Sequence, residues 1–240
     1  ENVARSSLGL FGRQLEMIQA AKMMGKPIVV ILVNGRPIAE PWLVENIDVI
    51  IEAWEPGAKG GEALADIIMG QINPSGKLPI TIPYSVGHLQ AIYDHKPSAY
   101  RHKFVDTPTK NLFEFGFGLS YSTYEYEAPK LSRKQIKSDE STSISVKLTN
   151  TGKYGGAEIV QLYIRDDFSQ ITRPVKELKG FKRIYLESGE SATIEFLVEP
   201  DMLAYYNRDM EWTVEQGSYT LMIGPSSRQS DLKSAKLIVN

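Results

Sequence analysis

The sequence predicts a truncated doubly wound α/β sandwich domain followed by an all-β sandwich. Three observations predict it. Continuous apolar runs alternate with helical periods up to Pro83; the stretch Trp54 to Pro83 (WEPGAKGGEALADIIMGQINPSGKLPITIP) joins turn, helix, turn and extended signals with almost nothing between them; and after Pro129 the apolar period falls to two.

From Leu8 to Met24 the apolar residues Leu8, Phe11, Leu15, Ile18 and Ala21 step by three or four, with Gly25 where a helix C-terminus ends. This spacing predicts a helix with one buried face. Pro27 to Val33 (PIVVILV) follows, and an apolar run of that length after a helix reads as a strand covered on both faces of a parallel sheet. Asn34-Gly35-Arg36-Pro37 turns the chain, a short helix fits Trp42 to Glu45, and Ile47 to Ala53 is the next strand. Pro56 and Gly57 close that strand, and Ala63, Leu64, Ile67 and Ile68 then recur at helical spacing up to Gly70. Asn73-Pro74-Ser75-Gly76 is a turn cluster, after which Leu78 to Ile82 is expected as a third strand.

Tyr84 to Lys110 is a long irregular connection holding His88, His95 and His102. It ends in Leu112 to Tyr121, where aromatic residues alternate with glycines, a pattern expected to pin itself against an apolar surface. Beyond it, alternation runs through Ile144 to Leu148, Val160 to Ile164, Ala192 to Val198, Tyr219 to Ile223 and Ala235 to Val239, the pattern of an antiparallel β-sandwich. The expected domains are 1–92, a linker with an aromatic-glycine anchor at 93–128, and the sandwich at 129–240.

With 240 residues, 42 % of them hydrophobic, the chain is long enough for two cores. A net charge of −2 argues against a nucleic-acid or an anionic-membrane partner, because no basic stripe is present to release phosphate counterions. No run approaches the roughly 18 apolar residues that span a bilayer. The absence of cysteine excludes disulfides and thiol catalysis, and fits a cytoplasm or a periplasm equally. The histidines lack metal-ligand spacing, and Gly60-Gly61 lacks the order of a phosphate-binding loop. No metal and no cofactor are expected.

Several fragments, in order, resemble one family. They are Gly25-Lys26-Pro27, Asn34-Gly35-Arg36-Pro37, Trp54 to Pro83, Lys96-Pro97-Ser98, Phe115-Gly116-Phe117-Gly118-Leu119-Ser120-Tyr121, Glu177-Leu178-Lys179-Gly180-Phe181, Glu215-Gln216-Gly217-Ser218-Tyr219 and Gly224-Pro225-Ser226-Ser227. Together they resemble the C-terminal half of glycoside hydrolase family 3, the bacterial β-glucosidases and their β-xylosidase relatives. The resemblance implies three parts: an N-terminal TIM barrel with an aspartate nucleophile, an α/β sandwich with the acid/base, and a fibronectin type III-like module. The barrel and the first α/β strands are not in this chain, which is expected to start inside a longer one. Glu1-Asn2-Val3-Ala4-Arg5 is similar to the family motif in which a glutamate is followed four positions later by arginine, so the resemblance puts Glu1 at the general acid/base position with Arg5 as its neighbour.

A retaining glycosidase needs two carboxyl groups about 5 to 5.5 Å apart, and this chain supplies at most the acid. Arg36 and Trp54 stand where strands end, the edge at which ligands of open α/β sheets gather, and Arg101 stands in the long connection. Arg5, Arg36, Trp54 and Arg101 are therefore the candidate substrate-binding residues. Trp212, Tyr205 and Tyr206 read as core or interface residues of the sandwich, with a sugar-stacking platform as the lesser reading. The expected function is the C-terminal portion of an exo-acting retaining β-glycosidase acting on β-linked oligosaccharides, inactive without its barrel. A non-catalytic carbohydrate- or protein-binding module and a structural spacer are the alternatives. A periplasmic or secreted location is expected, with any leader upstream of this chain. An open sheet edge would call for a partner segment or a homo-oligomer.

Overall fold

A computed structural model describes residues 5–88, 90–97 and 104–240. The chain divides into two compact units, Glu1–Ile72 with Thr81–Ala91 and Lys103–Phe113, and Asn73–Ile80 with Ile92–His102 and Glu114–Asn240.

In the first unit, α1 spans Gln14–Met23, β1 Val29–Val33, α2 Pro41–Asn46, β2 Val49–Trp54 and α3 Gly60–Ile68. α1 starts later than the periodicity from Leu8 suggests. Gly9 and Gly12 fall inside that window, and each costs a helix about 1 kcal/mol relative to alanine. Gly25 does occupy the helix end, with its N–H bonded to the Lys22 carbonyl at 3.1 Å. β1 and β2 pair in parallel, Val29 opposite Val49 through Leu32 opposite Glu52, with a bulge that brings Val33 opposite Trp54. Val30, Leu43 and Ile47 are the buried centre of this unit, with Leu10, Ile18, Leu32, Trp42 and Ile50 packed around them.

Two expectations fail here, each for a physical reason. β1 is not covered on both faces: Val30 is buried, while Val29, Ile31 and Val33 on the alternate face are 41, 37 and 64 % exposed. Side chains alternate across a strand, and the core residues of α1 and α2 pack on the face that carries Val30 and Leu32. Leu78 to Ile82 is not a strand of this sheet, whose order is β1-β2. Pro79 and Pro83 have no N–H to donate to a central ladder, and Ile82 makes only an isolated antiparallel bridge with Phe113.

The second unit is a two-sheet β-sandwich. It contains β3 (Tyr124–Tyr126), β4 (Lys130–Leu131), β5 (Gln135–Ile136), β6 (Thr142–Asn150), β7 (Gly156–Asp166), β8 (Glu177–Leu186) and β9 (Ser191–Val198). After these come α4 (Pro200–Leu203), the short pair β10 (Tyr205–Tyr206) and β11 (Trp212–Thr213), then β12 (Gly217–Gly224) and β13 (Lys233–Val239). One sheet has the order β5-β13-β12-β7-β8; in the other, β6 is flanked by β9 on one side and by β3 and β4 on the other. The alternating residues close the core as their period requires: Ile144, Val146 and Leu148 face Val160, Leu162, Leu221, Ile223 and Leu237, all buried.

β8 was not legible as a strand. It is an edge strand of the larger sheet, and Phe181 and Tyr185 on it are 65 and 56 % exposed, so its two faces do not sort into apolar and polar. The aromatic-glycine segment is anchored to the sandwich, as its composition suggests. The Phe115 ring stacks on Tyr93 at 4.2 Å, and the Gln161 amide of β7 donates to the Gly116 carbonyl at 3.1 Å. A Cβ at Gly116 would sit 2.1 Å from Gln161 Oε1, and its φ is +76°, so only glycine allows this approach.

Candidate functional site at the strand ends

Because β1 and β2 are parallel, their carboxyl ends lie side by side and the turns leaving them are neighbours. Asn34, the first residue after β1, donates its backbone N–H to the Trp54 carbonyl at 3.1 Å. Its side-chain Oδ1 accepts the Arg36 N–H at 3.1 Å, an Asx turn that reverses the chain. Its Nδ2 donates to Glu52 Oε1 at 3.0 Å, and the same carboxylate oxygen accepts the Trp54 N–H at 3.2 Å. One carboxylate thus ties both turns.

Trp54 has φ +51°, in the left-handed region. For a bulky L residue that conformation costs about 1–2 kcal/mol and persists only where its surroundings impose it. The Glu52 acceptor and the Asn34 donor, on either side of the Trp54 peptide, supply that constraint. Burial pushes the Glu52 carboxyl above the usual carboxylate range, and the hydrogen bonds from Trp54 and Asn34 pull it back.

The Arg36 side chain reaches the incoming chain, Nη1 donating to the Arg5 carbonyl at 2.8 Å. The Arg5 guanidinium lies 5.0 Å from the centre of the Phe11 ring, and its Nη2 donates to Ser7 Oγ and to the Leu10 carbonyl, each at 3.3 Å. Arg5, Arg36 and Trp54 are therefore brought into one linked set at the strand ends. Glu1 and Arg101 lie outside the described residues. Two guanidinium groups and an indole can offer donors to hydroxyl groups and an apolar face to ring C–H groups. The set contains no nucleophile activated by a neighbouring base.

The sequence reading missed Glu52 and Asn34. Glu52 had a signal, an acidic residue inside the apolar run Val49 to Trp54. Asn34 had none beyond membership of a turn, because its partners on the other strand, Glu52 and Trp54, are 18 and 20 positions away.

The other residues weighed for chemistry are placed differently. His88 is buried, with Nδ1 2.9 Å from Ser85 Oγ and Nε2 2.8 Å from the Pro108 carbonyl, which makes it a structural tie. Tyr205 is buried and its hydroxyl donates to Glu215 Oε2 at 2.5 Å. Tyr206 and Trp212 form an exposed cross-strand pair with ring centres 5.0 Å apart. Among the described residues, no group of three or more His, Asp or Glu side chains is arranged to hold a metal ion.

Residues 1–121 match the model of the glycosyl hydrolase family 3 C-terminal domain, and residues 158–227 match that of the fibronectin type III-like domain. The chain is 43 % identical over 241 residues to a beta-xylosidase of Formosa agariphila, covering 98 % of this chain and 33 % of that protein. It is 37 % identical over 248 residues to the periplasmic beta-glucosidase of Salmonella typhimurium, covering 99 % of this chain and 32 % of that protein. Among solved structures, a β-glucosidase from Erythrobacter marinus superposes with a TM-score of 0.95 at 38 % identity, over 98 % of this chain and 31 % of that one. The chain spans about a third of the length of the curated relatives it matches.

Proposed function

The chain belongs to glycoside hydrolase family 3, and from that premise we propose that it is the C-terminal portion of an exo-acting retaining β-glycosidase, with Glu1 as general acid/base and Arg5, Arg36, Trp54 and Arg101 contacting the sugar. The relatives' names, beta-glucosidase and beta-xylosidase, support hydrolysis of terminal non-reducing sugars from β-linked oligosaccharides. The observation that carries the site is the bond from Arg36 Nη1 to the Arg5 carbonyl. It ties the segment that follows Glu1 to the carboxyl ends of the parallel strands, where open α/β sheets take ligands.

In this reading the nucleophile belongs to an N-terminal TIM barrel, the chain's principal partner. The acid protonates the leaving oxygen and later activates water. The domain frame is 1–92 for the α/β part, 93–128 for the linker and 129–240 for the sandwich. A periplasmic or secreted location is supported by the periplasmic relative, and no helix among the described residues is long and apolar enough to cross a membrane.

The test is Glu1→Gln in the barrel-containing enzyme, assayed on aryl β-glycosides of good and poor leaving ability. A lost general acid should lower kcat/KM for the poor leaving group by about 10²–10⁴-fold and for the good one far less. Equal rates for parent and variant on the poor leaving group would remove Glu1 from the acid role. The same assay on the isolated 240-residue chain is expected to show no turnover, since one carboxyl cannot perform a double displacement.

A further inference from the structure

We propose that Glu52 is a positioning residue of the strand-end site, holding Trp54 and the Asn34–Arg36 turn in the geometry that a ligand meets. The inference rests on the reading above that Arg36 and Trp54 contact sugar, and adds a residue that does not itself touch it.

Glu52 is oddly placed for a strand residue. Glu52 stands in β2 opposite Leu32 of β1, in a run where every other residue is apolar. A half-buried carboxylate there carries a desolvation cost, and Val or Ile would build the strand without it. What Glu supplies and an aliphatic residue does not is an acceptor for two donors on different strands' turns.

Those donors are Asn34 Nδ2 at 3.0 Å and Trp54 N at 3.2 Å. The first fixes the Asn34 side chain, whose other end, Oδ1, accepts the Arg36 N–H and sets the turn that launches Arg36. The second holds the peptide of Trp54 at φ +51°, a conformation a tryptophan does not adopt unforced. The bulge between Leu32 and Val33 lies at the same level, so the sheet register changes just where these bonds replace regular pairing. Without the carboxylate the strained peptide relaxes toward negative φ, the indole turns with it, and the Arg36 turn loses its side-chain lock.

The test has a structural arm and a functional arm. In the 240-residue chain, hydrogen exchange is read at the Trp54 and Asn34 backbone amides for the parent, Glu52→Ala and Glu52→Gln. In the alanine variant the Trp54 N–H loses its bond to a charged group and should exchange about tenfold faster or more, and the Asn34 N–H, which donates to the Trp54 carbonyl, should speed with it as that peptide relaxes. The glutamine variant keeps an acceptor oxygen and should stay near the parent. Asn34→Ala, which removes only one arm of the tie, should speed exchange at the Arg36 amide, whose acceptor is Asn34 Oδ1, while leaving the Trp54 N–H bonded to Glu52, and it remains informative if Glu52→Ala fails to fold. In the barrel-containing enzyme, Glu52→Ala should raise KM for a β-glycoside about three- to tenfold with kcat within twofold, and Glu52→Gln should restore KM. Unchanged exchange in Glu52→Ala, or glutamine no better than alanine, would overturn the positioning role. Faster exchange with unchanged KM would keep the tie and overturn the sugar-contact reading of Arg36 and Trp54.

Discussion

At the scale of residues, carboxylates are held in opposite ways in this chain. Asp167 accepts from Lys236, Thr220 and Ser218, and these bonds hold its carboxyl below the ordinary value despite its burial. Its neighbour Asp166 is pushed up to about 6 by burial, with Glu215 and Asp167 adding to the rise and the Arg173 guanidinium and the Phe168 N–H opposing it. An unfolded aspartate titrates near about 4, so between about pH 4 and 6 the folded state binds the extra proton and stability falls as pH rises through that window. Asp166→Asn, which keeps an acceptor for the Phe168 N–H, removes the penalty. It is expected to raise the unfolding free energy measured by urea titration at pH 7 by on the order of 1 kcal/mol, discounted because the carboxyl is partly exposed, and to leave it nearly unchanged near pH 4. A gain that is the same at pH 4 and pH 7 would refute this account.

At the scale of elements, the stretch Trp54 to Pro83 is divided between two structural tasks. Its helix, α3, belongs to the first unit, while Asn73 to Ile80 belongs to the second. Asn73 accepts the Tyr121 N–H at 2.8 Å and donates to the Gly155 carbonyl at 3.0 Å, which secures the turn cluster on the loop before β7. Lys77 enters beside β7 and pairs with Glu158 at 2.9 Å, with side chains only 11 and 7 % exposed, and also donates to the Gly118 carbonyl at 3.0 Å. A pair this buried is costly to break from one side, because the remaining carboxylate stays desolvated. Lys77→Met is expected to destabilise the sandwich by about 3–5 kcal/mol in urea unfolding. Lys77→Met with Glu158→Leu should recover much of that loss, and a double variant as unstable as the single one would place the cost in packing instead. This also explains why a turn cluster so dense in Asn, Pro, Ser and Gly predicted a loop correctly but not its attachment: the partners are 48 and 82 positions away.

For the molecule as a whole, the chain's parallel sheet has an unfinished side. Val29, Ile31 and Val33 of β1 and Val49 of β2 are exposed, and β1 pairs only with β2 among the described residues. Parallel sheets are normally buried on both faces, so an apolar face of this kind favours association. The isolated chain is expected to sediment as a species larger than its 26.9 kDa monomer, and a monodisperse monomer at micromolar concentration would contradict this. By contrast, the sandwich has its core enclosed by its own strands. The sequence by itself determined the class of each part, the parallel pair β1 and β2, the helices α2 and α3, the main alternating strands and the family. These follow from local periodicity and from motifs that lie close together in the chain. Only the tertiary structure decided that Leu78 to Ile82 leaves the sheet, that β8 joins the sandwich as an edge, and that Glu52 and Asn34 stand behind Arg36 and Trp54. The reason is that strand pairing and hydrogen bonds between side chains and distant peptides depend on which segments meet in space, and a single-residue pattern carries no record of a partner far along the chain.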